Sequence, residues 1–320
     1  MKRPHGGAPD PGLLDFSANI NPLDPPDAVR AVLSDGTALI SRYPTPDARE
    51  FTAAAARHHD VGPECVLAGN GSSDLIYLVA RLFSNRCAQV IVPAFTEHED
   101  ACEASDIRLD APTPELTIVG NPSSPEGRLH RREEILAHPG SLVVDEAFMD
   151  FANDQESLVS RAATDPRLIV LRTLTKFYAI PGLRLGYLIA VPETIVKLRR
   201  LQPPWNVNAL AEAVGIAVLK DHEYAHFTRR FVRGRREDLI RGLGALGFEP
   251  SASVTNYVLC RVSDAAFLCH ELLKKGIAAR NCDSFTGLER NRYVRFAVRK
   301  RSENERLLAE LRGICRQCPA

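Results

Sequence analysis

A lysine between hydroxyl-bearing residues follows an apolar segment in the middle of the chain. The run Leu168–Leu171 is short, branched and bounded by polar residues, which is typical of a buried strand. Thr173, Thr175 and Lys176 come directly after it, and Arg184 stands eight residues beyond the lysine. A lysine in a low-dielectric site can form a Schiff base with an aldehyde, and hydroxyls with a guanidinium can hold a phosphate. Taken alone, Lys176 is better explained as one of 40 basic residues on a solvated surface, so the rest of the chain has to decide.

A second cluster has the composition of a phosphate cradle. Gly71, Ser72 and Ser73 stand between a brief strand pattern and the amphipathic run Leu75–Phe83, which predicts a helix. Glycine lets the backbone approach a ligand closely, and a helix N-terminus offers free N–H groups at its positive end. Many strand–helix junctions look similar, so this signal is weak by itself.

A carboxylate follows another strand pattern. Asp145 comes directly after Ser141–Val144, and a carboxylate at the end of a buried strand requires a cationic partner. The protonated ring nitrogen of pyridoxal 5'-phosphate (PLP) would be such a partner, and Lys176 would carry its aldehyde. Arg295, in the strand pattern Tyr293–Val298, is the candidate for binding a substrate carboxylate because a guanidinium binds it in a bidentate manner.

The order of strands and helices places these residues together. Short apolar strands alternate with helices, which predicts an α/β fold with a mostly parallel central sheet. Ligands bind such sheets at the carboxyl ends of the strands. The polar clusters all follow predicted strands, and they comprise Gly69–Asp74, Thr96–His98, Asn121–Ser124, Asp145 and Lys176. This coincidence favours the cofactor interpretation of Lys176 over the surface one.

The bulk composition excludes several classes of function. The chain has 320 residues, 45% of them hydrophobic, with 40 acidic and 40 basic residues. This balance gives no electrostatic footprint for nucleic acid or an anionic membrane. No apolar run could span a bilayer, and the N-terminal residues lack a secretory signal, so we expect a cytoplasmic protein. Cys315 and Cys318 are half of a zinc site without a second pair, so we expect no metal.

The same patterns suggest three parts of the chain. We expect residues 1–40 to form an N-terminal arm that joins the small domain. Residues 41–205 are predicted to form a large PLP-binding domain, and residues 206–320 a small C-terminal α+β domain. Among the predicted elements are a helix over 27–40 and a strand over Val90–Pro93. In the last part we expect strands at Tyr257–Val262 and Tyr293–Val298.

Several longer motifs carry a resemblance to a known family. They are HGG at 5–7, LDFSANINPL at 14–23, YPTPD at 43–47, GNGSSDLIYLVARLF at 69–83, VVDEAFMDF at 143–151, LRTLTKFYAIPGLRLGY at 171–187, ARNCDSFTGL at 279–288 and RYVRFAVRKRSENERLLAEL at 292–311. Together they cover nearly the whole chain. It resembles the fold-type I PLP-dependent enzymes of the histidinol-phosphate aminotransferase-like group. Within that group it is most similar to the threonine-phosphate decarboxylases of cobalamin biosynthesis.

The resemblance implies a role for each matching residue. Lys176 would form the Schiff base with PLP, and Asp145 would bind the pyridine nitrogen. Tyr43 would reach the cofactor phosphate of a neighbouring subunit, which implies a homodimer with shared active sites. The cofactor phosphate would be held by Ser72, Ser73, Thr173, Thr175 and Arg184. The phosphorylated amino acid substrate would be bound by His5, Gly6, Gly7, Asn19, Arg280 and Arg295.

The chain departs from the family pattern around the cofactor ring. Ser124, within NPSSPEG, stands where the family has an asparagine that bonds the ring hydroxyl. His98 corresponds to a tyrosine that stacks on the ring, and it could instead act as a proton donor. The segment between His98 and Asn121 is also shorter than the family pattern. Phe148 matches the decarboxylase branch, where aminotransferases have tyrosine.

The expected reaction is decarboxylation of an O-phospho amino acid, with threonine phosphate giving 1-amino-2-propanol phosphate. The bond perpendicular to the conjugated imine decides between loss of CO2 and loss of a proton, and the sequence does not show that angle. An aminotransferase of the histidinol-phosphate type is therefore the alternative. A third hypothesis is a PLP-binding homologue without activity. Its only support is that Ser124 and His98 depart from the family pattern.

Overall fold

The structure is a computed structural model, and it describes residues 6–8, 10, 12–109 and 111–317. The predicted substrate residue His5 and the second cysteine of the terminal pair, Cys318, lie outside these residues. Within the described part of the chain, no helix combines the length and the apolar character needed to cross a membrane.

Strands alternate with helices in the first two thirds of the chain. In chain order, the strands are β1 (Leu14–Asp15), β2 (Val66–Gly69), β3 (Ala88–Val90), β4 (Leu116–Gly120), β5 (Ser141–Asp145), β6 (Leu168–Thr173), β7 (Gly186–Ile189), β8 (Glu249–Pro250), β9 (Tyr257–Arg261), β10 (Ile277–Ala278), β11 (Arg280–Asn281) and β12 (Tyr293–Ala297). The α-helices are α1 (Asp27–Ser34), α2 (Gly36–Ile40), α3 (Arg49–His59), α4 (Gly71–Leu82), α5 (Glu97–Glu103), α6 (Arg132–Leu136), α7 (Val159–Ala162), α8 (Pro192–Leu201), α9 (Ala209–Val218), α10 (His222–Gly244), α11 (Ala265–Lys274) and α12 (Arg301–Gln317).

The central sheet has the strand order β2-β7-β6-β5-β4-β3. Strands β3, β4, β5 and β6 are parallel neighbours, and β7 runs antiparallel to both of its neighbours, β2 and β6. All residues of β2, β6 and β7 are buried, as expected for a sheet covered by helices on both faces. The predicted mostly parallel central sheet is therefore confirmed.

A second sheet of four antiparallel strands, in the order β11-β12-β9-β8, is built from the last part of the chain. The N-terminal segment is attached to that part through β1, which pairs in parallel with β10. This pairing brings residues 14–15 beside residues 277–278, far away in sequence. The division into an arm and two domains stays a prediction.

Two predicted elements differ from the structure. The helix expected over 27–40 is two helices, because the chain leaves helical geometry at Asp35 before Gly36, and Asp and Gly favour turns. The strand expected over Val90–Pro93 is instead β3, which begins and ends earlier. A proline has no N–H to donate to a sheet, so the apolar run extends beyond the pairing.

Candidate functional site

A cavity of about 450 Å³ lies at the carboxyl ends of the parallel strands. Its size is in the range of small-molecule and cofactor sites. It is lined by Gly6, Ser17, Ala18, Asn19, Ser72, Ser73, Phe95, Glu97, His98, Gly120, Pro122, Ser124, Asp145, Ala147, Phe148, Thr175, Lys176, Arg184 and Arg295. Eleven of these residues are sequence-predicted site residues, so the structure brings together positions from the N-terminal segment, five strand ends and β12.

Lys176 lies in the loop after β6 and lines this cavity. Burial lowers the pKa of its amine to about 8, and the guanidinium groups of Arg184 and Arg295 add to the effect, while Asp145 opposes it. Each cause other than Asp145 disfavours the charged ammonium. The neutral amine, which is the nucleophile that attacks an aldehyde, is therefore populated at lower pH than in an ordinary lysine.

The N-terminus of α4 and Arg184 form one wall of the cavity. Ser72 and Ser73 lie in the first turn of α4, where no side chain caps the helix. Gly71 has a φ of +81°, and a Cβ built there would lie 2.6 Å from Arg184 Nη2. Arg184 itself has a φ of 56°, a left-handed conformation that is uncommon for a residue with a side chain. The glycine thus leaves room for the guanidinium beside free N–H groups, an arrangement suited to a phosphate.

Thr173 and Gly71 do not line the cavity, although both were predicted to bind the cofactor. The Thr173 hydroxyl lies 2.9 Å from that of Thr175 and donates to the carbonyl of Leu185 at 3.0 Å. It therefore holds Thr175, which does line the cavity, against the neighbouring strand. Direct contact of Thr173 or Gly71 with a cofactor stays a prediction.

Asp145 and His98 form a buried pair at the base of the cavity. His98 Nε2 and Asp145 Oδ2 are 2.9 Å apart and share a hydrogen bond. The residues are 1% and 7% exposed, so solvent screens the pair only weakly. Asp145 Oδ1 also accepts the backbone N–H of Ala147 at 3.0 Å. The carboxylate orientation is consequently set by two partners on different elements.

The hydrogen bond to Asp145 fixes the orientation of the His98 ring, and stacking of this ring on the cofactor stays a prediction. The His98 ring directs its Nε2 edge at a carboxylate, and its Nδ1 has no hydrogen-bond partner among the described residues. Phe95 also lines the cavity, with its ring centroid 5.9 Å from that of His98 in an edge-on arrangement. Phe95 is therefore a second candidate for packing on a planar ligand.

Arg295, on β12, also lines the cavity and is only 6% exposed. Its Nη1 donates to Ser124 Oγ at 3.3 Å and its Nη2 to the carbonyl of Ser17 at 3.2 Å. The guanidinium lies over the Tyr257 ring, 5.2 Å from its centroid. Burial lowers the pKa of Arg295, and within the described part of the chain no carboxylate forms an ion pair with it. A buried guanidinium without a counter-ion is chemically suited to binding an anion such as a carboxylate.

The predicted substrate residues fall into two cavities. Asn19 and Gly6 line the first one, and Asn19 Oδ1 is buried without a hydrogen-bond partner among the described residues. Gly7 and Arg280 instead line a neighbouring cavity of about 480 Å³. The first and second cavities share Ser17. Arg280 and Arg295 are paired across β11 and β12 but open toward different spaces.

Tyr43 lies outside both cavities. Its side chain is 86% exposed, and its ring packs against Trp205 at a centroid distance of 5.3 Å. A role of Tyr43 in a site of this same subunit has no support in this position. A role in a second subunit stays a prediction.

Ser17, Phe95 and Glu97 line the cavity but were not among the predicted site residues. Phe95 and Glu97 carry a detectable signal, because they stand in the same strand-end loop as His98. Ser17 belongs to the motif LDFSANINPL at 14–23, but its sequence context does not indicate that its carbonyl reaches Arg295. That contact spans most of the chain.

The residues present fit PLP. Three kinds of group face one cavity. They are the Lys176 amine with its lowered pKa, the serine hydroxyls and helix N–H groups beside Arg184, and the buried carboxylate of Asp145. The space above Gly71, which a Cβ would fill, and the buried Asn19 Oδ1 without a partner among the described residues are further signs of a ligand site. These groups match the aldehyde, the phosphate and the ring nitrogen of PLP.

Comparison with known proteins agrees with this interpretation. The sequence model of the family described as Aminotransferase class I and II matches residues 11–111 and 109–311. Threonine-phosphate decarboxylase from Salmonella typhimurium is 37% identical over 97% of this chain and 93% of its own length. Histidinol-phosphate aminotransferase from Nitratidesulfovibrio vulgaris (strain DP4) is 34% identical over 95% of this chain and 90% of its own.

The crystal structure of histidinol-phosphate aminotransferase from Clostridium acetobutylicum superimposes with a TM-score of 0.89. It is 29% identical, and the match covers 95% of this chain and all of that chain. The predicted fold class, a fold-type I PLP-dependent enzyme with a mostly parallel sheet flanked by helices, is therefore confirmed.

Proposed function

Because the chain belongs to the aminotransferase class I and II family, whose cofactor is PLP, we propose that it is a PLP-dependent decarboxylase of an O-phospho amino acid. Threonine phosphate, giving 1-amino-2-propanol phosphate, is the proposed substrate, since the similar Salmonella typhimurium protein is a threonine-phosphate decarboxylase.

The position of Arg295 is the observation that carries the proposal. Its guanidinium is buried without an ion-pair partner among the described residues, and it lines the same cavity as Lys176. An amino acid bound by its carboxylate at Arg295 would present its amine toward the Lys176 side. Ser124 and the Ser17 carbonyl hold the guanidinium, and such a fixed arginine can orient the bond that breaks.

The chain's own residues account for the remaining requirements. When bound, PLP supplies an aldehyde that reacts with amines and a ring that accepts the electron pair left by the departing group. Asp145 would stabilise a protonated ring nitrogen, and Ser72, Ser73, Thr175 and Arg184 would hold the phosphate. Phe95 would pack against a ring face and exclude water. Lys176, neutral in part near pH 8, would accept or donate protons at its Nζ.

Phe148 supports decarboxylation over transamination. It lines the cavity beside Asp145, at the place where the sequence resemblance implies a tyrosine in aminotransferases. The phenyl ring brings no hydroxyl, and it packs edge-on against Tyr257 at a centroid distance of 4.9 Å. The 34% identity to a histidinol-phosphate aminotransferase keeps transamination as the second candidate.

A homodimer with shared active sites is part of the proposal. Tyr43 and Trp205, whose rings pack against each other, are 86% and 48% exposed, and Ile40, three residues before Tyr43, is 66% exposed. Adjacent exposed apolar side chains are a feature of interaction surfaces. Burial against a second copy would remove this surface from water. Light scattering of the PLP-loaded protein at several concentrations tests the assembly, and a monomer throughout would contradict it.

Product analysis tests the reaction. PLP-loaded protein is incubated with O-phospho-L-threonine, with and without 2-oxoglutarate, and CO2 and amine products are measured. We expect CO2 and 1-amino-2-propanol phosphate without any 2-oxo acid. Turnover only with 2-oxoglutarate, giving a keto product, would instead assign an aminotransferase. A PLP-loaded protein that is active in neither assay would support the inactive homologue.

A further inference from the structure

The carboxylate of Asp15 organises the N-terminal segment at the edge of the cavity. Its Oδ1 accepts the backbone N–H of Ser17 at 2.7 Å, the Ser17 hydroxyl at 2.6 Å and the N–H of Ala18 at 3.3 Å. Its Oδ2 accepts the N–H of Ala8 at 3.0 Å. One side chain thus ties residues 6–8 to residues 17–18, which run beside them.

Ser17 connects the segment that Asp15 holds to residues that line the cavity. Its hydroxyl accepts the N–H of Gly7 at 2.8 Å, and its carbonyl accepts Arg295 Nη2 at 3.2 Å. Gly6 packs so closely on the Ser17 carbonyl that a Cβ there would lie 2.2 Å from the oxygen. The backbone of Gly6 and the guanidinium of Arg295 therefore both rest on Ser17, and all three line the first cavity.

The ionised form of the Asp15 carboxyl suits these hydrogen bonds. Burial by itself would raise the pKa of the Asp15 carboxyl, but the hydrogen bonds from Ser17, Ala8 and Ala18 outweigh burial, and the pKa lies below its ordinary value. An ionised carboxylate accepts four hydrogen bonds here, and bonds to a charged acceptor are stronger than neutral ones. No cation is needed to explain why the carboxylate is held in this place.

We infer that Asp15 is a positioning residue for substrate binding. It acts through Ser17, which holds both Arg295 and the segment Gly6–Ala8, whose residues line the first cavity or the neighbouring one. The inference rests on the proposed function, because it assumes that Arg295 and the Gly6 backbone contact a phosphorylated amino acid. Asp15 itself lies outside the cavity lining and need not touch the substrate.

The test compares three variants with wild type. Asp15→Asn keeps the shape of the side chain but removes its negative charge. It also replaces one acceptor oxygen by an NH2 group, a donor that then faces a backbone N–H. Ser17→Ala removes only the hydroxyl that links Asp15 to the Gly7 N–H. Asp10→Asn is the matched control, because exposed Asp10 also accepts a backbone N–H, that of Gly12 at 2.8 Å, in the same segment.

We expect Asp15→Asn to raise KM for O-phospho-L-threonine by about tenfold or more with kcat changed by less than about threefold. Ser17→Ala should change KM in the same direction by a smaller factor, and Asp10→Asn should leave it unchanged. The PLP absorption spectrum should stay as in wild type. Hydrogen exchange of the Ala8 amide should be faster in Asp15→Asn only, whereas that of the Gly7 amide should be faster in both Asp15→Asn and Ser17→Ala.

Several outcomes would overturn the inference. Amide exchange that stays slow in Asp15→Asn would show that the carboxylate does not hold the segment. Faster exchange with an unchanged KM would leave Asp15 a purely structural role. A fall in kcat with lost PLP absorption would place its effect on the cofactor instead.

Failure of the proposed function has a separate signature in wild type. If wild type binds O-phospho-L-threonine in calorimetry without turnover, the decarboxylase proposal falls, and the same comparison of variants is made on Kd. If wild type neither turns over nor binds this compound, the inference falls with the proposal.

Discussion

Asp145 and His98 share a hydrogen bond of 2.9 Å in a region where both side chains are almost fully buried. The two residues are brought together by the end of β5 and the first turn of α5. A buried carboxylate that loses its partner bears its full desolvation cost. His98 is therefore coupled to the carboxylate that is proposed to meet the PLP ring nitrogen.

Substitutions of His98 should distinguish the contribution of its hydrogen bond to Asp145 from that of its packing. We expect His98→Phe to lower the free energy of unfolding of the cofactor-free protein by about 1–3 kcal/mol, because Asp145 loses a buried hydrogen bond. His98→Gln, which keeps an N–H donor, should lose less. Chemical denaturation checks the difference, with His270→Gln at an exposed site as the control. Equal stability of the Phe and Gln variants would contradict this account.

The lowered pKa of Lys176 predicts how PLP loading depends on pH. The neutral amine is the nucleophile, and its fraction rises as pH increases through the pKa, which is about 8. The rate at which cofactor-free protein binds PLP should therefore rise with pH, with a midpoint near pH 8. The absorption of the PLP–lysine adduct measures this rate. Lys176→Ala should show no such band. A midpoint near 10.5, the value of an ordinary lysine, would refute the effect of burial.

Arg295 should affect both substrate binding and this titration. Removing its charge with Arg295→Gln should move the loading midpoint to higher pH, because a cation that disfavours the ammonium is lost. The same variant should raise KM for O-phospho-L-threonine by about tenfold or more. Arg261→Gln, at an exposed position on the neighbouring strand β9, is the control for both measurements. An unchanged KM would remove Arg295 from the substrate site.

Gly71 offers a test of the phosphate cradle. Gly71→Ala places a Cβ 2.6 Å from Arg184 Nη2 at a φ of +81°, so the guanidinium must move and the backbone is strained by about 1–2 kcal/mol. We expect the PLP Kd to rise about tenfold or more, measured by fluorescence titration. Gly182→Ala, in the turn before Arg184, is a matched control because its Cβ would meet nothing within 4 Å. Similar losses in both variants would exclude the specific clash.

Much of the cavity follows from local sequence. Lys176, Asp145 and Ser72 each come directly after a short apolar strand or a glycine-rich turn, and parallel strands bring their carboxyl ends to one edge. The central sheet was predictable for the same reason, since buried strands have continuous apolar runs. Strand β7 was missed, because its residues Gly186–Ile189 continue the loop that contains Arg184 without a turn signal between them.

The relationships among side chains depend on tertiary structure. His98 meets Asp145 across 47 residues and Arg295 meets Ser17 across 278, and no periodicity encodes a hydrogen bond between such distant positions. The family resemblance implies that Arg280 and Arg295 both bind substrate, and their strands are neighbours, but the two residues line different cavities. Local sequence patterns therefore predict which chemical groups reach the edge of the sheet. The packing of the N-terminal segment against β12 sets which residues of those two parts join them in the cavity, because burial and hydrogen-bond partners depend on contacts between distant parts of the chain.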